Sequence, residues 1–82
     1  MAAHRIVVDV VLKPEILDPA GSAVATALPS LGFAPVSSLR IGKHVELEIE
    51  AETPEAALEQ AATMAEVLLA NPVIEDHVVR LA

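Results

Sequence analysis

This 82-residue chain has no cysteine, tryptophan or tyrosine, and Phe33 is its only aromatic ring. Without thiols, disulfides and thiolate metal sites are excluded, and with them a CxxC metal carrier. Without rings to stack on bases, a single-strand nucleic-acid platform is excluded as well. Positive charge is scarce: five Lys and Arg stand against twelve Asp and Glu, a net charge of −7. Such a chain, lacking a basic face, repels phosphate backbones. Long apolar runs are missing too, and none approaches the ~20 residues of a membrane-spanning helix. The N-terminus, MAAHRIVVDV, places Asp9 within its apolar run and shows no cleavage-site pattern, so it does not read as a signal peptide. The expectation is a cytoplasmic protein that meets neither nucleic acid nor membrane.

What is present is aliphatic. Apolar residues make up 54% of the chain, almost all of them Ala, Val, Leu and Ile. Residues 1–82 are one domain by length. A chain this short buries only roughly 60–65% of its unfolded surface, and the balance of burial against entropy comes out near zero. With no disulfide or thiolate metal site, oligomerisation or docking on a larger partner is the expected source of further stability.

Arg5–Leu12 is β-branched and reads as a strand. Ile6, Val8, Val10 and Leu12 share one face; Val7 and Val11 share the other, around Asp9. Asp18 is a helix cap with Pro19 in the first helical position. Ala20, Ala23, Val24, Ala27, Leu28 and Leu31 then keep the rhythm of a buried stripe, up to Gly32. Pro29 interrupts that helix and predicts a bend or fraying near Leu28. Phe33–Ile41 reads as a second strand. His44–Glu52 is the clearest strand: Val45, Leu47, Ile49 and Ala51 alternate with Glu46, Glu48, Glu50 and Glu52. Two hairpins fit between these strands. A two-residue turn at Gly42 pairs Arg40 with Val45; a three-residue turn pairs Ile41 with Val45 and Leu39 with Leu47. Turn chemistry favours the first and burial the second. Thr53 and Pro54 open a second helix with Leu58, Ala61, Ala62, Ala65, Leu68 and Leu69 toward the core. Asn71-Pro72 closes it near Ala70, and Val73–Leu81 is the last strand.

The order βαββαβ, with right-handed crossovers, is the α+β ferredoxin-like arrangement, both helices on one face of an antiparallel sheet. The other face would carry Val7, Val11 and Val78, an apolar surface suited to a homodimer.

Little here resembles catalytic machinery. His4, His44 and His77 show no metal-ligand spacing, and no serine sits in a GxSxG elbow. The alternating glutamates read as a solvated strand face, able to meet a basic partner. Arg40 and Lys43 flank Gly42, where they suit a partner's carboxylate better than a small anion. Gly21, costly so early in a helix, suggests close approach of another backbone, helix N-terminal N–H groups offered to an anion, or equally well tight packing within the domain.

Three strings carry a family resemblance: LKPEILDPAGSAV at Leu12–Val24, LRIGKHVELEIE at Leu39–Glu50 and LLANPVIED at Leu68–Asp76. In order and spacing they resemble PurS, the small subunit of formylglycinamidine ribonucleotide synthase, over about Ile6 to Asp76. The pattern falls on Lys13, Leu17-Asp18-Pro19, Gly21, Arg40, Gly42, Lys43, Glu46-Leu47 and Leu69–Glu75. It departs at Ala20, often glutamine in the family, and at Pro29. The resemblance implies a non-catalytic, homo-oligomeric (dimeric or tetrameric) subunit that docks a glutaminase subunit to a large synthase subunit. The complex would use ATP and Mg, with no cofactor, metal or catalytic residue in this chain. Lys13, Asp18, Gly21, Arg40, Gly42, Lys43, Glu46 and Asn71 are the implied partner-contact positions. Two rivals share the fold: an amino-acid-binding regulatory module using the Lys13–Gly21 loop, and an acylphosphatase-type enzyme, for which that loop lacks an arginine.

Overall fold

A computed structural model describes all 82 residues. Its sheet has three antiparallel strands: β1 (Ala2–Leu12) lies between β2 (Lys43–Ala51) and β3 (Glu75–Leu81). Val8 faces Val45 on one side and Val79 on the other, which fixes both registers. Strand alternation therefore sends Ile6, Val8 and Val10 to one face, where all three are buried.

The helix α2 (Pro54–Met64) covers that face. Its first turn is held by the Thr53 hydroxyl, which accepts the Ala56 N–H at 3.0 Å, with Pro54 in the first turn. Ala57, Ala61 and Ala65 are completely buried against Ile6, Val8 and Ile49. Three alanines in one stripe let the helix axis come close to the sheet. Ala57 lies outside the stripe that the sequence periodicity indicates.

Beyond Met64 the helix widens. The Ala70 N–H donates to Ala65 O at 2.8 Å, five residues back, and Ala65–Leu69 form a π turn. The extra residue in this turn rotates the end of the helix relative to its start. Leu68, expected in the core, is instead 82% exposed, while Leu69 packs at the core's edge.

Residues 13–42 form an arm. Asp18 caps α1 (Pro19–Ala27) as the sequence indicates. Pro29 then has no N–H to continue the ladder, and Leu28–Leu31 tighten into a 3-10 turn that ends on Gly32 at φ +98°. The expected strand Phe33–Ile41 does not form, and the two alternative hairpin registers lapse with it. Pro35 cannot donate to a ladder. Ile41, moreover, gives its N–H to Asp18 rather than to β2.

The α+β ferredoxin-like class stands with three strands formed, but α1 does not close over its own sheet. Gly21 is its only buried residue; Val24, Leu31 and Phe33 lie exposed at 41, 72 and 61%. The radius of gyration is 16.3 Å, against about 12 Å for a compact chain of this length. Correspondingly, Val45 and Leu47, on the covered face of β2, stay only partly buried.

Candidate interaction site

The root of the arm is a polar clamp built by two side chains. Asp18 Oδ1 accepts the Gly21 N–H at 2.9 Å, and Oδ2 accepts the Ile41 N–H at 2.8 Å. One carboxylate thus caps α1 and ties the returning segment to it. Those two donors, Gly21 first, hold the Asp18 carboxyl below its usual value of 3.8. Arg40 closes the clamp from the other segment. Its Nη1 donates to Ile16 O at 2.9 Å, and its Nη2 donates to Lys13 O at 3.0 Å and Pro14 O at 2.6 Å. A planar guanidinium reaches three carbonyls that no helix or strand satisfies.

Both glycines of this region are required by close approach. A Cβ on Gly21 would stand 2.6 Å from Asp18 Oδ2 and 2.7 Å from Leu39 O. A Cβ on Gly42 would collide with the carbonyl oxygen of Val10, where the arm crosses β1. In the sequence Gly21 stands out for its cost in a helix and Gly42 for its place between Arg40 and Lys43; in the structure both let backbone segments of the arm's root approach closely.

The open face of the sheet is charged rather than bare. His44 sits between two carboxylates, with Nδ1 2.8 Å from Asp9 and Nε2 3.0 Å from Glu46. Arg80 Nε donates to the second oxygen of Asp9 at 3.2 Å. These partners, Asp9 before Glu46, raise the His44 imidazole above its ordinary 6.5, and the hydrogen bond from His44, ahead of that from Arg80, lowers the Asp9 carboxyl. Lys13 and Asp76 form a separate pair at 2.7 Å, which raises the ammonium pKa of Lys13. Val7 is buried at 4% exposure; Val11 and Val78 remain exposed at 37 and 61%.

The remaining candidates serve the turn after α2. Lys43 Nζ donates to Leu69 O at 3.0 Å, satisfying a carbonyl at the helix end. Asn71 Oδ1 accepts the Val73 N–H, and the Glu75 carboxylate accepts the Asn71 N–H at 2.6 Å. Asp18, Gly21, Arg40 and Gly42 are therefore brought together, with the Lys13 carbonyl among them. Lys43 with Asn71, and Glu46, lie elsewhere. Arg40, Gly42 and Lys43 do not form an exposed hairpin tip, because there is no strand on its N-terminal side. The 14–18 loop does border an open groove against Val36–Arg40, but Asp18 and Arg40 in its lining are already engaged by backbone groups, Asp18 by the Gly21 and Ile41 N–H and Arg40 by the carbonyls of Lys13, Pro14 and Ile16.

The clamp and arm belong to a chain with well-defined relatives. The PurS family model, described as phosphoribosylformylglycinamidine (FGAM) synthase, matches residues 5–82. The PurS subunit of Mycobacterium leprae phosphoribosylformylglycinamidine synthase is 51% identical over 72 residues, 88% of this chain and 87% of that one. The crystal structure of the Thermotoga maritima PurS subunit superposes with a TM-score of 0.91 at 36% identity, covering 99% of this chain and 93% of that one. A chain in the Thermotoga maritima PurLQS structure matches with the same TM-score and identity, over 100% of both chains.

Proposed function

The chain belongs to the PurS family of phosphoribosylformylglycinamidine synthase subunits, and we propose that within that ligase complex it acts as a non-catalytic adaptor seating the glutaminase subunit against the synthase subunit. The observation that carries this reading is end-to-end correspondence with a chain that, in Thermotoga maritima, is part of PurLQS. The chain is a subunit of the enzyme that makes formylglycinamidine ribonucleotide in purine biosynthesis. The adaptor role explains why its distinctive residues build shape. Asp18, Arg40, Gly21 and Gly42 are used on backbone geometry, and none is left poised over a pocket to transfer a proton or attack a substrate.

The chemistry of the complex needs such a part. Ammonia released from glutamine becomes ammonium in bulk water and is then no longer a nucleophile. Holding the ammonia-producing and ammonia-consuming sites in fixed relation converts a diffusive loss into a local transfer. ATP and Mg belong, in this reading, to the synthase subunit, and the compartment is the cytoplasm. No helix is long and apolar enough to cross a membrane.

The adaptor works as a homo-oligomer. Each chain has an arm with an uncovered apolar stripe and a sheet whose β2 side is incompletely covered. Two copies that exchange arms satisfy both needs. Reconstitution tests the whole reading: the synthase and glutaminase subunits are combined with and without this chain, and glutamine-dependent and ammonia-dependent turnover are compared. Glutamine-dependent turnover should require the chain while ammonia-dependent turnover does not. Equal rates with and without it would overturn the adaptor role.

A further inference from the structure

Outside the arm, exposed apolar side chains concentrate where α2 gives way to β3. Val67, Leu68 and Val73 are 75, 82 and 78% exposed, and Met64, in the preceding turn, is 38% exposed. We propose that this tip docks into an apolar recess bordered by Lys or Arg on another subunit of the ligase complex, a chain of different sequence from this one. The proposal rests on the adaptor reading and says which part of the surface serves it.

Local geometry puts these side chains in water. In a regular α-helix Leu68 would follow Ala57, Ala61 and Ala65 onto the buried stripe by i, i+3, i+4 spacing. The π turn at Ala65–Leu69 breaks that rhythm and turns Leu68 outward; such turns recur at functional sites. Val73 is held just beyond it. Asn71 Oδ1 accepts the Val73 N–H at 3.1 Å, and Asn71 O accepts the N–H groups of Ile74 and Glu75. The tip is therefore shaped before any partner arrives, which lowers the cost of docking.

Charge selects the occupant. Glu52 to Asp76 holds six acids and no Lys, Arg or His. Glu66 lies at the C-terminal end of the helix, where the helix dipole is already negative, and that turn has no basic residue. Glu55, Glu59 and Glu66 have no ion-pair partner. A second copy supplies none, because a twofold contact through this tip sets Glu66 near its own copy. Of the five Lys and Arg, Lys13 is held by Asp76, Arg80 by Asp9, Arg40 by three carbonyls and Lys43 by Leu69 O. Arg5, the fifth, alternates with buried Ile6 and lies on the sheet face away from α2. An exposed leucine and an unpaired glutamate on one turn thus fit a foreign surface with an apolar centre and a basic border.

The test reads the concentration of this chain that gives half-maximal glutamine-dependent turnover in the reconstituted complex. Leu68→Ser should raise it by roughly ten-fold, with the native mass of the isolated chain unchanged. Glu66→Lys should raise it too, while also raising the melting temperature of the isolated chain, because a cation suits the helix C-terminus. Weaker assembly from a more stable chain separates docking from folding, and added salt should narrow the Glu66→Lys difference. If both variants assemble as the parent does, the docking tip is overturned and the adaptor reading survives. If Leu68→Ser changes the native mass of the isolated chain, the tip is a self-contact and the proposal is overturned. A parent chain without effect on glutamine-dependent turnover would overturn the adaptor reading and the tip with it.

Discussion

At the scale of single residues, one acidic side chain and one basic one, Asp18 and His44, do work that their spacing alone does not disclose. Asp18 is legible as a helix cap because it precedes Pro19; its second bond, to Ile41, spans 23 positions of sequence and is not. Asp18→Asn should loosen the return segment as well as α1. The sign of its pH dependence is set by the lowered carboxyl. Its stabilisation is fully present above the unfolded value near 3.8 and is lost as pH falls through the lower folded value. The difference in urea midpoint between parent and variant should therefore shrink in acid. His44 runs the opposite way. Its raised imidazole contributes fully below about 6.5 and loses that contribution as pH rises through the folded value. His44→Gln should remove this high-pH loss from the stability profile, by a modest amount because the pair is solvent-exposed.

At the scale of elements, alternation and capping are legible in the sequence, and crossings are not. Val45 to Ala51 alternate so strictly that β2 is placed within a residue of its true ends. Thr53-Pro54 and Asp18-Pro19 locate both helix starts. The π turn is invisible because nothing in Ala65–Leu69 marks a five-residue step; Leu68 consequently falls on the wrong side in a regular helical projection. Phe33–Ile41 has strand-like residues, but Pro35 weakens it, and the Ile41 N–H that would join β2 is taken by Asp18. Of the interaction site, Arg40, Gly42, Asp18 and Gly21 stand in the sequence among eight candidates, with Lys13, Lys43, Glu46 and Asn71, and nothing there groups the four together. Their partners are backbone carbonyls and N–H groups, which look alike in every sequence. Arg40→Ala, with three such bonds removed, should abolish glutamine-dependent turnover in the reconstituted complex while leaving the circular dichroism of the three-stranded sheet intact.

At the scale of the whole molecule, the core is small: Ile6 and Val8 are the only large side chains fully enclosed. Ile6→Ala should cost about 2–5 kcal/mol, enough to unfold a domain this close to balance, and thermal scans should show no cooperative transition. The apolar arm lies outside that core. Its need for cover has a consequence in the language of mass action. If the cover is a second copy, folding and association are one equilibrium, and stability grows with the logarithm of subunit concentration. Diluting the chain should lower its melting temperature, whereas a monomeric domain would melt at the same temperature at every dilution. A cell making too little of this subunit would then hold fewer molecules, each also less stable.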